Sequence, residues 1–351
     1  MAAYHVIEGN PLKEEDKEKL RVFLRNQELD YDEQITYSYL LMDENRIIAT
    51  GSCSGNIIKC VAVDPVYQGQ NLLSDIITNL VKHLVSQKIT HYFGFTKPKN
   101  KVLFANAGLY PVAETKQVLL LENRRNGLQK YVTKLVNRTK EFNANMSGNK
   151  NIAEDSTSSG IGAIVANCNP FTRGHQYLIE KAAADCKLLH VFILADQNQM
   201  FTQKERIEMV RMGTAHLSNV LIHDASDYMI SAAVFPTYFI KDKVHAYEIN
   251  CSLDIKIFGS CIANALGITK RYVGTEPHCG VTATYNQCLS KELPQYGITY
   301  CEIERVCSEE GAVVSASAVR RALEAGDYET VKAMVSPKIY SSMVRDDKET
   351  V

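Results

Sequence analysis

The second half of the chain alternates between short apolar runs of strand length and amphipathic runs of helix length. The sequence predicts strands at 161–167, 188–195, 220–223, 254–258, 271–273 and 300–303, and helices at 174–185, 204–215 and 317–325. This alternation is typical of a doubly wound parallel sheet with helices on both faces. Ligands of such sheets bind beyond the carboxyl ends of the strands. The sequence therefore predicts an α/β domain with its site at that edge of the sheet.

The first half of the chain has a different order of elements. Strands are predicted at 37–42, 47–52, 57–63, 91–95 and 117–121, and helices at 11–26, 72–85, 101–107 and 124–140. Neighbouring strands joined by short turns, with helices set apart from them, indicate an α+β domain. Residues 143–160 are rich in Asn, Ser and Gly, which is typical of a linker or loop. We therefore predict two domains, at 1–140 and 161–351, joined by a linker at 141–160.

The charge and cysteine content exclude several classes of protein. The 39 Lys and Arg residues balance the 40 Asp and Glu residues, which argues against a dedicated nucleic-acid or membrane-surface binder. The ten cysteines form no C-x-x-C pair, so we expect reduced thiols and no cluster of metal ligands. No run approaches the roughly 20 apolar residues of a membrane span, and charges throughout the first 30 residues leave no signal-peptide core. We expect a soluble cytoplasmic protein.

A polar turn follows the first predicted strand of the second half. Asn169 and Pro170 end this strand, because proline cannot donate to a strand ladder. The helix that starts here offers free N–H groups and the positive end of its dipole, which together favour an anion. Thr172 adds a hydroxyl, His175 adds a ring donor, and Gly174 lets the backbone approach a ligand closely. A helix cap alone would also explain Thr172, but the strand before the turn and the helix after it favour a phosphate site.

A second polar helix start lies near the end of the chain. Ser315 or Ser317 is placed to cap the predicted helix, and Arg320 follows one turn later. Hydroxyls, free N–H groups and a guanidinium suit the oxygens of further phosphates. Residues 274–276 follow a predicted strand at the edge of the sheet where nucleotides bind. There Glu276 either contacts a ribose or an adenine, or caps a neighbouring helix.

These motifs resemble the signatures of the nucleotidylyltransferase superfamily. The turn at 168–175 is similar to the H/T-x-G-H signature, with Ala166 where the superfamily usually has glycine. Residues 314–320 are similar to the I-S-S-T-x-x-R element, with Ala316 in place of the second serine. The resemblance to one family, the citrate lyase ligases, covers most of the second half and is carried by residues 168–172, 204–211, 227–239 and 273–277.

The first half resembles the GNAT acetyltransferase fold. Residues 63–70 form a turn that enters a helix, and in that fold such a turn presents N–H groups to the pyrophosphate of a CoA-type ligand. Asn71 and Leu73 stand where the GNAT pattern favours glycine or another small residue. A GNAT-like domain before a Rossmann-like nucleotidylyltransferase domain is the architecture that the citrate lyase ligase resemblance implies.

The resemblance implies a two-step reaction. Acetate attacks the α-phosphate of ATP, which gives acetyl-adenylate and pyrophosphate. The thiol of the CoA-like arm on the citrate lyase acyl carrier protein then takes the acetyl group and releases AMP. The resemblance also implies that Thr172, His175 and Arg320 are catalytic and that Mg²⁺ binds through the phosphates, without ligands from the chain. The residues that it implies for nucleotide binding are Asn169, Pro170, Phe171, Gly174, Gly274, Thr275, Glu276, Ser315 and Ser317.

Three other functions remain open at the level of the sequence. A metabolic adenylyltransferase that acts on a phosphorylated acceptor would use the same phosphate motifs. A GNAT-type protein acetyltransferase would act through the first half and keep the second half as a nucleotide sensor. A carrier-protein binding module without activity would leave the phosphate motifs unused. Pyrophosphate exchange into ATP that depends on acetate distinguishes the ligase from these functions.

Overall fold

A computed structural model of the protein describes residues 4–148, 160–195, 199–229, 236–242, 245–276, 279–305 and 314–345. The chain forms two units, each of which draws on two stretches of sequence. The first unit comprises Met1–Leu128 and Val234–Leu253, and the second comprises Gln129–Ala233 and Asp254–Val351. The units therefore differ in range from the predicted domains, because each includes a stretch of chain that is distant in sequence.

A seven-stranded sheet forms the centre of the first unit. Its strands are β1 (His5–Gly9), β2 (Tyr37–Asp43), β3 (Arg46–Ser54), β4 (Ile57–Val63), β5 (Phe93–Thr96), β6 (Tyr110–Glu114) and β7 (Leu119–Glu122). Their spatial order is β1-β2-β3-β4-β5-β7-β6, and the pairs are antiparallel apart from β4 with β5, which is parallel. The accompanying helices are α1 (Glu14–Asn26), α2 (Leu72–Ser86) and α3 (Lys101–Asn106). The predicted GNAT-like α+β fold is confirmed.

Helix α2 packs on this sheet through one apolar stripe. Leu72, Ile76, Leu80 and Leu84 recur at helical spacing, and all four are buried in one cluster with residues of the sheet. Gly51 of β3 lies beneath the stripe, where a Cβ atom would stand 2.6 Å from Cγ2 of Ile76 and 2.7 Å from Cδ1 of Leu80. The helix therefore lies closer to the strand than a larger residue at position 51 would permit.

A cleft opens between β4 and β5. These strands pair through residues 57–58 and 93–94, and beyond these pairs lies a cleft of about 600 Å³. Tyr238 and Phe239, which come from the second stretch of sequence in this unit, line the cleft and are buried. The hydroxyl of Tyr238 donates a hydrogen bond to the carbonyl of Phe95 in β5 at 3.2 Å. The later stretch of chain thus forms part of the wall of the cleft.

A five-stranded parallel sheet forms the centre of the second unit. Its strands are β8 (Ile161–Ala166), β9 (Leu188–Ile193), β10 (Val220–Asp224), β11 (Ile268–Gly274) and β12 (Thr299–Ile303), in the spatial order β10-β9-β8-β11-β12. The other helices of the chain are α4 (Gly127–Gly148), α5 (Arg173–Ala184), α6 (Gln203–Thr214), α7 (Ala246–Ile257), α8 (Asn264–Leu266), α9 (Gly280–Glu292), α10 (Ala316–Glu324), α11 (Tyr328–Met334) and α12 (Pro337–Arg345). The predicted Rossmann-like parallel sheet is confirmed. Its strand order changes direction between β8 and β11, which is where ligands bind in sheets of this kind.

Several predicted elements differ from the structure. Residues 254–258 are helical, because they belong to the end of α7 and the start of a π-helical stretch, Phe258–Ala263. The alternation of polar and apolar residues there predicts a strand, yet Asp254 and Ile255 are both buried, so the helix is covered on several sides. Residues 143–148 continue α4, and the rest of the predicted linker, up to residue 159, lies outside the described residues. Strands β1 and β6 were missed by the sequence analysis because neither is buried along one full face.

The cysteines within the described residues carry no disulfide bonds. The nine cysteines within the described residues are all free thiols, and six of them are buried. Buried thiols behave as small hydrophobic side chains. Among the helices in the described part of the chain, none is long and apolar enough to cross a membrane.

Candidate active site

The turn between β8 and α5 lies at the carboxyl edge of the parallel sheet. Asn169 is buried in this turn, and its side chain accepts a hydrogen bond from the N–H of Phe201 at 3.1 Å and donates one to Gln199 at 2.5 Å. Arg206, in the first turn of α6, is also buried and donates to the carbonyl of Asn167 at 2.7 Å and to that of Phe201 at 3.2 Å. The turn is therefore held in place by residues that precede and begin α6.

Thr172 and His175 form a reciprocal capping pair at the start of α5. The hydroxyl of Thr172 accepts a hydrogen bond from the backbone N–H of His175 at 3.4 Å. The backbone N–H of Thr172 in turn donates to Nδ1 of His175 at 3.1 Å, and the hydroxyl lies 2.9 Å from the same nitrogen. Thr172 is thus a helix cap, and the cap fixes the orientation of the histidine ring.

These hydrogen bonds determine where the ring of His175 carries its proton. Because Nδ1 accepts from a backbone N–H, the proton of the neutral ring lies on Nε2. Burial of the ring and, second, the positive charge of Arg305 lower the pKa of His175 to about 4. At neutral pH the ring is therefore uncharged, and it offers one N–H donor from Nε2, as a phosphate oxygen requires.

The second polar helix start lies beside this turn. A Cβ atom on Gly174 would stand 3.4 Å from the carbonyl oxygen of Val314, which precedes Ser315. The hydroxyl of Ser315 caps α10, since it accepts a hydrogen bond from the N–H of Ala318 at 3.1 Å. Two helix N-termini therefore lie next to each other, and both carry free N–H groups.

Arg320 connects the two helix starts. Its guanidinium donates to the carbonyl of Asn169 at 2.5 Å and to the hydroxyl of Ser317 at 3.3 Å. The structure thus brings Arg320 and Ser317 to the turn that contains Thr172 and His175, although these residues are far apart in sequence. Their roles toward a ligand stay predictions.

Gly274 ends β11, and Thr275 and Glu276, which follow it, are tied to Arg305, which follows β12. The hydroxyl of Thr275 accepts a hydrogen bond from the N–H of Arg305 at 3.1 Å. Glu276 forms an ion pair with the guanidinium of Arg305 and accepts a hydrogen bond from the N–H of Cys279 at 3.2 Å, just before α9. Glu276 thus contacts the N–H of the residue that precedes α9, and its contact with a ribose or an adenine stays a prediction. Arg305 was missed by the sequence analysis, because no local motif marks it.

Pro170 and Phe171 are buried, as Asn169 and Thr172 are. Phe171 packs against α6, where a Cβ atom on Gly213 would stand 2.2 Å from Cε1 of the ring, and its ring centre lies 5.9 Å from that of His175. Phe171 therefore supports the turn from the core. Burial raises the pKa of the neighbouring Cys168 thiol to about 12, which makes that thiol a poor nucleophile.

The helix start of the first unit is built differently. Asn71, the residue before α2, lies in the left-handed region with φ of 62° and makes no side-chain capping hydrogen bond to the described residues. The turn before it, Gln68 to Gln70, lies at the cleft between β4 and β5. This helix start therefore lacks the capping pair that orients His175 in the second unit.

Comparison with known proteins identifies the family. The sequence profile of the citrate lyase ligase C-terminal domain matches residues 161–343. A citrate (pro-3S)-lyase ligase from Haemophilus influenzae is 39% identical over 311 residues, which cover 87% of this chain and 88% of that protein. The chain belongs to the citrate lyase ligase family. The resemblance predicted from its motifs is therefore confirmed.

Two further citrate lyase ligases match nearly the whole chain. The protein from Klebsiella pneumoniae is 33% identical and covers 94% of this chain and 93% of its own length. The protein from Escherichia coli is 36% identical and covers 89% of this chain and 86% of its own length. In contrast, a phosphopantetheine adenylyltransferase from Heliobacterium modesticaldum is 34% identical over 18% of this chain and 38% of its own. A metabolic adenylyltransferase is therefore not favoured for this citrate lyase ligase family member.

Solved structures match parts of the chain at low similarity. An acyl-CoA N-acyltransferase from Pseudomonas aeruginosa covers 35% of this chain and 100% of its own, with 10% identity and a TM-score of 0.31. Thermotoga maritima TmcAL, bound with alpha-thio ATP, covers 55% of this chain and 56% of its own, with 13% identity and a TM-score of 0.34. At this level of similarity neither match bears on the function.

Proposed function

We propose that this citrate lyase ligase family member activates acetate with ATP and transfers the acetyl group to the CoA-like arm of the citrate lyase acyl carrier protein. The transfer converts the inactive deacetylated lyase to its active form. The observation that carries the first step is the juxtaposition of two helix N-termini, with Thr172, His175 and Arg320 at their meeting point. The relatives, which are ligases of citrate lyase, support the choice of acceptor.

The first step is an in-line displacement at phosphorus. A carboxylate oxygen of acetate forms a bond to the α-phosphorus of ATP, and the bond from that phosphorus to the bridging oxygen of the leaving pyrophosphate breaks. Nε2–H of His175 donates a hydrogen bond to the α-phosphate, where negative charge develops. Arg320 and the free N–H groups of α10 bind the β- and γ-phosphates. The chain thus contributes position and neutralisation of charge, and the reaction needs no covalent bond to a side chain.

The remaining residues of the two turns shape the nucleotide site. Asn169 and Gly174 line the first helix start, where a close approach of the backbone to phosphate is needed. Ser315 and Ser317 line the second, and their hydroxyls lie within the first turn of α10. Gly274 and Thr275, at the end of β11, border the site on the side where we expect the adenosine.

Mg²⁺ accompanies ATP in this proposal and neutralises part of the triphosphate charge. Within the described ranges there is no group of three or more His, Cys, Asp and Glu side chains that could hold a metal ion. The side chains at the site carry hydroxyl, amide, imidazole and guanidinium groups, and the carboxylate of Glu276 pairs with Arg305. This donor set fits a Mg²⁺ ion that is bound by phosphate oxygens and waters, not by the chain.

The second step moves the acetyl group to sulfur. The thiol sulfur of the carrier arm forms a bond to the acetyl carbonyl carbon of acetyl-adenylate, and the bond from that carbon to the phosphate oxygen breaks, so that AMP leaves. Cys168, at the turn itself, is buried and its pKa is raised, so it is a poor acceptor for the acetyl group. We assign the acceptor thiol to the carrier protein because the relatives are ligases of citrate lyase.

A reconstituted assay tests this function. Protein, ATP, acetate and deacetylated citrate lyase are mixed, and AMP formation and recovered lyase activity are measured. We expect both signals from the wild type and from Cys168→Ala, and neither from His175→Ala. Exchange of pyrophosphate into ATP that requires a phosphorylated acceptor instead of acetate would overturn the proposal. Acetyl transfer from acetyl-CoA without ATP would assign the activity to the first unit.

A further inference from the structure

Arg305 reaches the active site from a part of the chain that carries no recognisable motif. It lies two residues beyond the end of β12, at the carboxyl edge of the sheet. A Cβ atom on Gly274, at the end of the neighbouring strand β11, would stand 3.9 Å from Cγ and 4.0 Å from Nε of Arg305. The arginine side chain therefore runs alongside the end of β11, at the edge where β8 also ends.

Both ends of Arg305 are held in place. Its backbone N–H donates to the hydroxyl of Thr275 at 3.1 Å. Its Nη2 group donates to Glu276, whose side chain is 8% exposed and whose other oxygen accepts from the N–H of Cys279. A nearly buried carboxylate that is fixed by a helix start restricts the rotamers of its guanidinium partner. Glu276 is therefore a positioning residue for Arg305.

The rest of the guanidinium is available to a ligand. Nη1 and Nε of Arg305 make no hydrogen bond to any residue in the described part of the chain, and the side chain is 30% exposed. Its positive charge also contributes to the lowered pKa of His175. His175 lies in the first turn of α5 after β8, and Arg305 follows β12, so both residues lie at the carboxyl edge of the sheet on either side of β11. Their unused N–H groups are donors, which suit an anionic group.

We propose that Arg305 is a catalytic residue that binds the oxygens of the α-phosphate together with His175, while Arg320 binds the pyrophosphate part of ATP. The proposal rests on the proposed function, since it divides one nucleotide between two arginines. Arg320 is anchored on the carbonyl of Asn169 and the hydroxyl of Ser317 at the second helix start, whereas Arg305 is anchored by Glu276, which follows β11. As the carboxylate oxygen attacks and pyrophosphate leaves, Arg305 stabilises the charge on the α-phosphate oxygens.

Separate binding measurements for AMP and pyrophosphate test this division. AMP carries only the α-phosphate, and pyrophosphate stands for the other two. In titration calorimetry we expect Arg305→Ala to weaken AMP binding by about tenfold or more and to leave pyrophosphate binding unchanged, because a charge-assisted contact is lost. Arg320→Ala should give the reverse pattern. Arg321→Ala, an exposed arginine next to Arg320 in α10, is the matched control and should change neither affinity.

Kinetics and a double mutant separate catalysis from folding. In acetate-dependent pyrophosphate exchange, Arg305→Ala should lower kcat by a factor on the order of 10² or more, and Arg305→Lys should recover part of it. Glu276→Gln should weaken AMP binding less than Arg305→Ala does. In the double mutant, Glu276→Gln should cause no further loss of AMP affinity beyond that of Arg305→Ala, whereas a purely structural role of Glu276 would cause an additional loss. If Arg305→Ala does not fold, Arg305→Gln and Arg305→Lys replace it in the same binding and kinetic measurements.

The outcomes distinguish the two proposals. Wild-type exchange with acetate and normal AMP binding by Arg305→Ala would overturn the role of Arg305 and leave the proposed function intact. Absence of acetate-dependent exchange in the wild type would overturn the proposed function, while the AMP and pyrophosphate affinities would still report on Arg305. Equal losses of AMP affinity and pyrophosphate affinity in Arg305→Ala and Arg320→Ala would also contradict the proposed division of the nucleotide between the two arginines.

Discussion

The helix starts of α5 and α2 both follow a turn at the edge of a sheet, yet they offer a ligand very different groups. At α5, Thr172 caps the helix and fixes His175, and Arg320 reaches the same turn from α10. At α2, Asn71 makes no capping hydrogen bond to the described residues, and the adjoining cleft is lined by Tyr238. Free N–H groups and a helix dipole are common to both starts. What distinguishes them is the set of side chains that other elements bring to the turn.

The side chains proposed to direct phosphate binding lie in the second unit. A helix N-terminus supplies a weak and general attraction for anions, whereas a neutral histidine donor and two anchored arginines supply direction. In the second unit these groups come from sequence positions more than a hundred residues apart, and the parallel sheet brings them together. We therefore expect the adenylation step to depend on the second unit alone, and the following experiments test that expectation.

The largest difference in exchange rate is expected between substitutions at the two helix starts. His175→Ala removes the Nε2–H donor and should lower acetate-dependent pyrophosphate exchange by a factor on the order of 10²–10³. Asn71→Gly suits the left-handed conformation at the start of α2 and should leave the exchange rate unchanged. Equal losses in the two variants would break the comparison. Circular dichroism of both proteins controls for folding.

A second experiment uses two glycines that lie under bulky side chains, one in each unit. Gly213→Ala would place a Cβ atom 2.2 Å from Cε1 of Phe171, and Gly51→Ala would place one 2.6 Å from Cγ2 of Ile76. Each substitution should lower the free energy of unfolding by about 1–3 kcal/mol through overpacking. Only Gly213→Ala should also slow pyrophosphate exchange, because Phe171 supports the catalytic turn. Thermal unfolding and exchange rates measured on the same samples provide the check.

The protonation of His175 gives a third, pH-dependent test. Its folded pKa of about 4 lies below the unfolded value near 6.5, so the unfolded state binds more protons between these pH values. Stability should therefore fall as pH falls through this window, by at most about 1.4 kcal/mol per pH unit from this residue. His175→Gln should remove its part of the slope, while the buried His190 and His223, whose pKa values are also lowered, keep theirs. His245, an exposed residue of the first unit whose pKa is raised by Asp242, is the control with the opposite sign.

Nitrogen-15 NMR of labelled histidine tests the same assignment directly. The signals of His175 should show a proton on Nε2 at neutral pH and a titration midpoint near 4. A midpoint near 6.5, or a proton on Nδ1, would contradict the hydrogen bond from Thr172 and with it the donor role toward phosphate.

The smallest effect is expected in the cleft of the first unit. Tyr238→Phe keeps the ring and removes its hydrogen bond to the carbonyl of Phe95, which should lower the free energy of unfolding by about 1 kcal/mol. Pyrophosphate exchange should stay at the wild-type rate. Tyr328→Phe, at a tyrosine that is 42% exposed in α11, should have no measurable effect on thermal unfolding. A loss of exchange in Tyr238→Phe would show that the adenylation step depends on both units.

Local chemistry explains which parts of the site could be predicted from the sequence. The turn at Thr172 and His175 is recognisable because the strand, the cap and the helix are adjacent in sequence, and the same holds for Ser315 and Arg320. Arg305 could not be found in this way, since it depends on Glu276, 29 residues earlier, and on the pairing of β11 with β12.

Secondary structure could also be predicted only where local sequence determines it. Helix α2 follows from periodicity, because it buries one regular stripe. Strands β2 to β4 follow instead from short apolar runs between turns, since β2 and β3 are buried at nearly every position. The run from Asp254 to Phe258 alternates as a strand would, but it is helical, with Asp254, Ile255 and Ile257 all buried. When an element is covered on several sides, its sequence no longer records which side faces the core. Tertiary contacts then decide the conformation.

The discontinuous first unit has a consequence for synthesis of the chain. Residues up to Leu128 leave the ribosome well before Tyr238, whose carbonyl accepts a hydrogen bond from Asp30 and whose hydroxyl reaches β5. The interval is 110 residues (238 − 128), which at about 5–20 residues per second corresponds to roughly 5–20 seconds. During that time the nascent first unit has a cleft without one of its walls. Chaperones and early partners therefore meet a surface on the emerging chain that the finished protein covers.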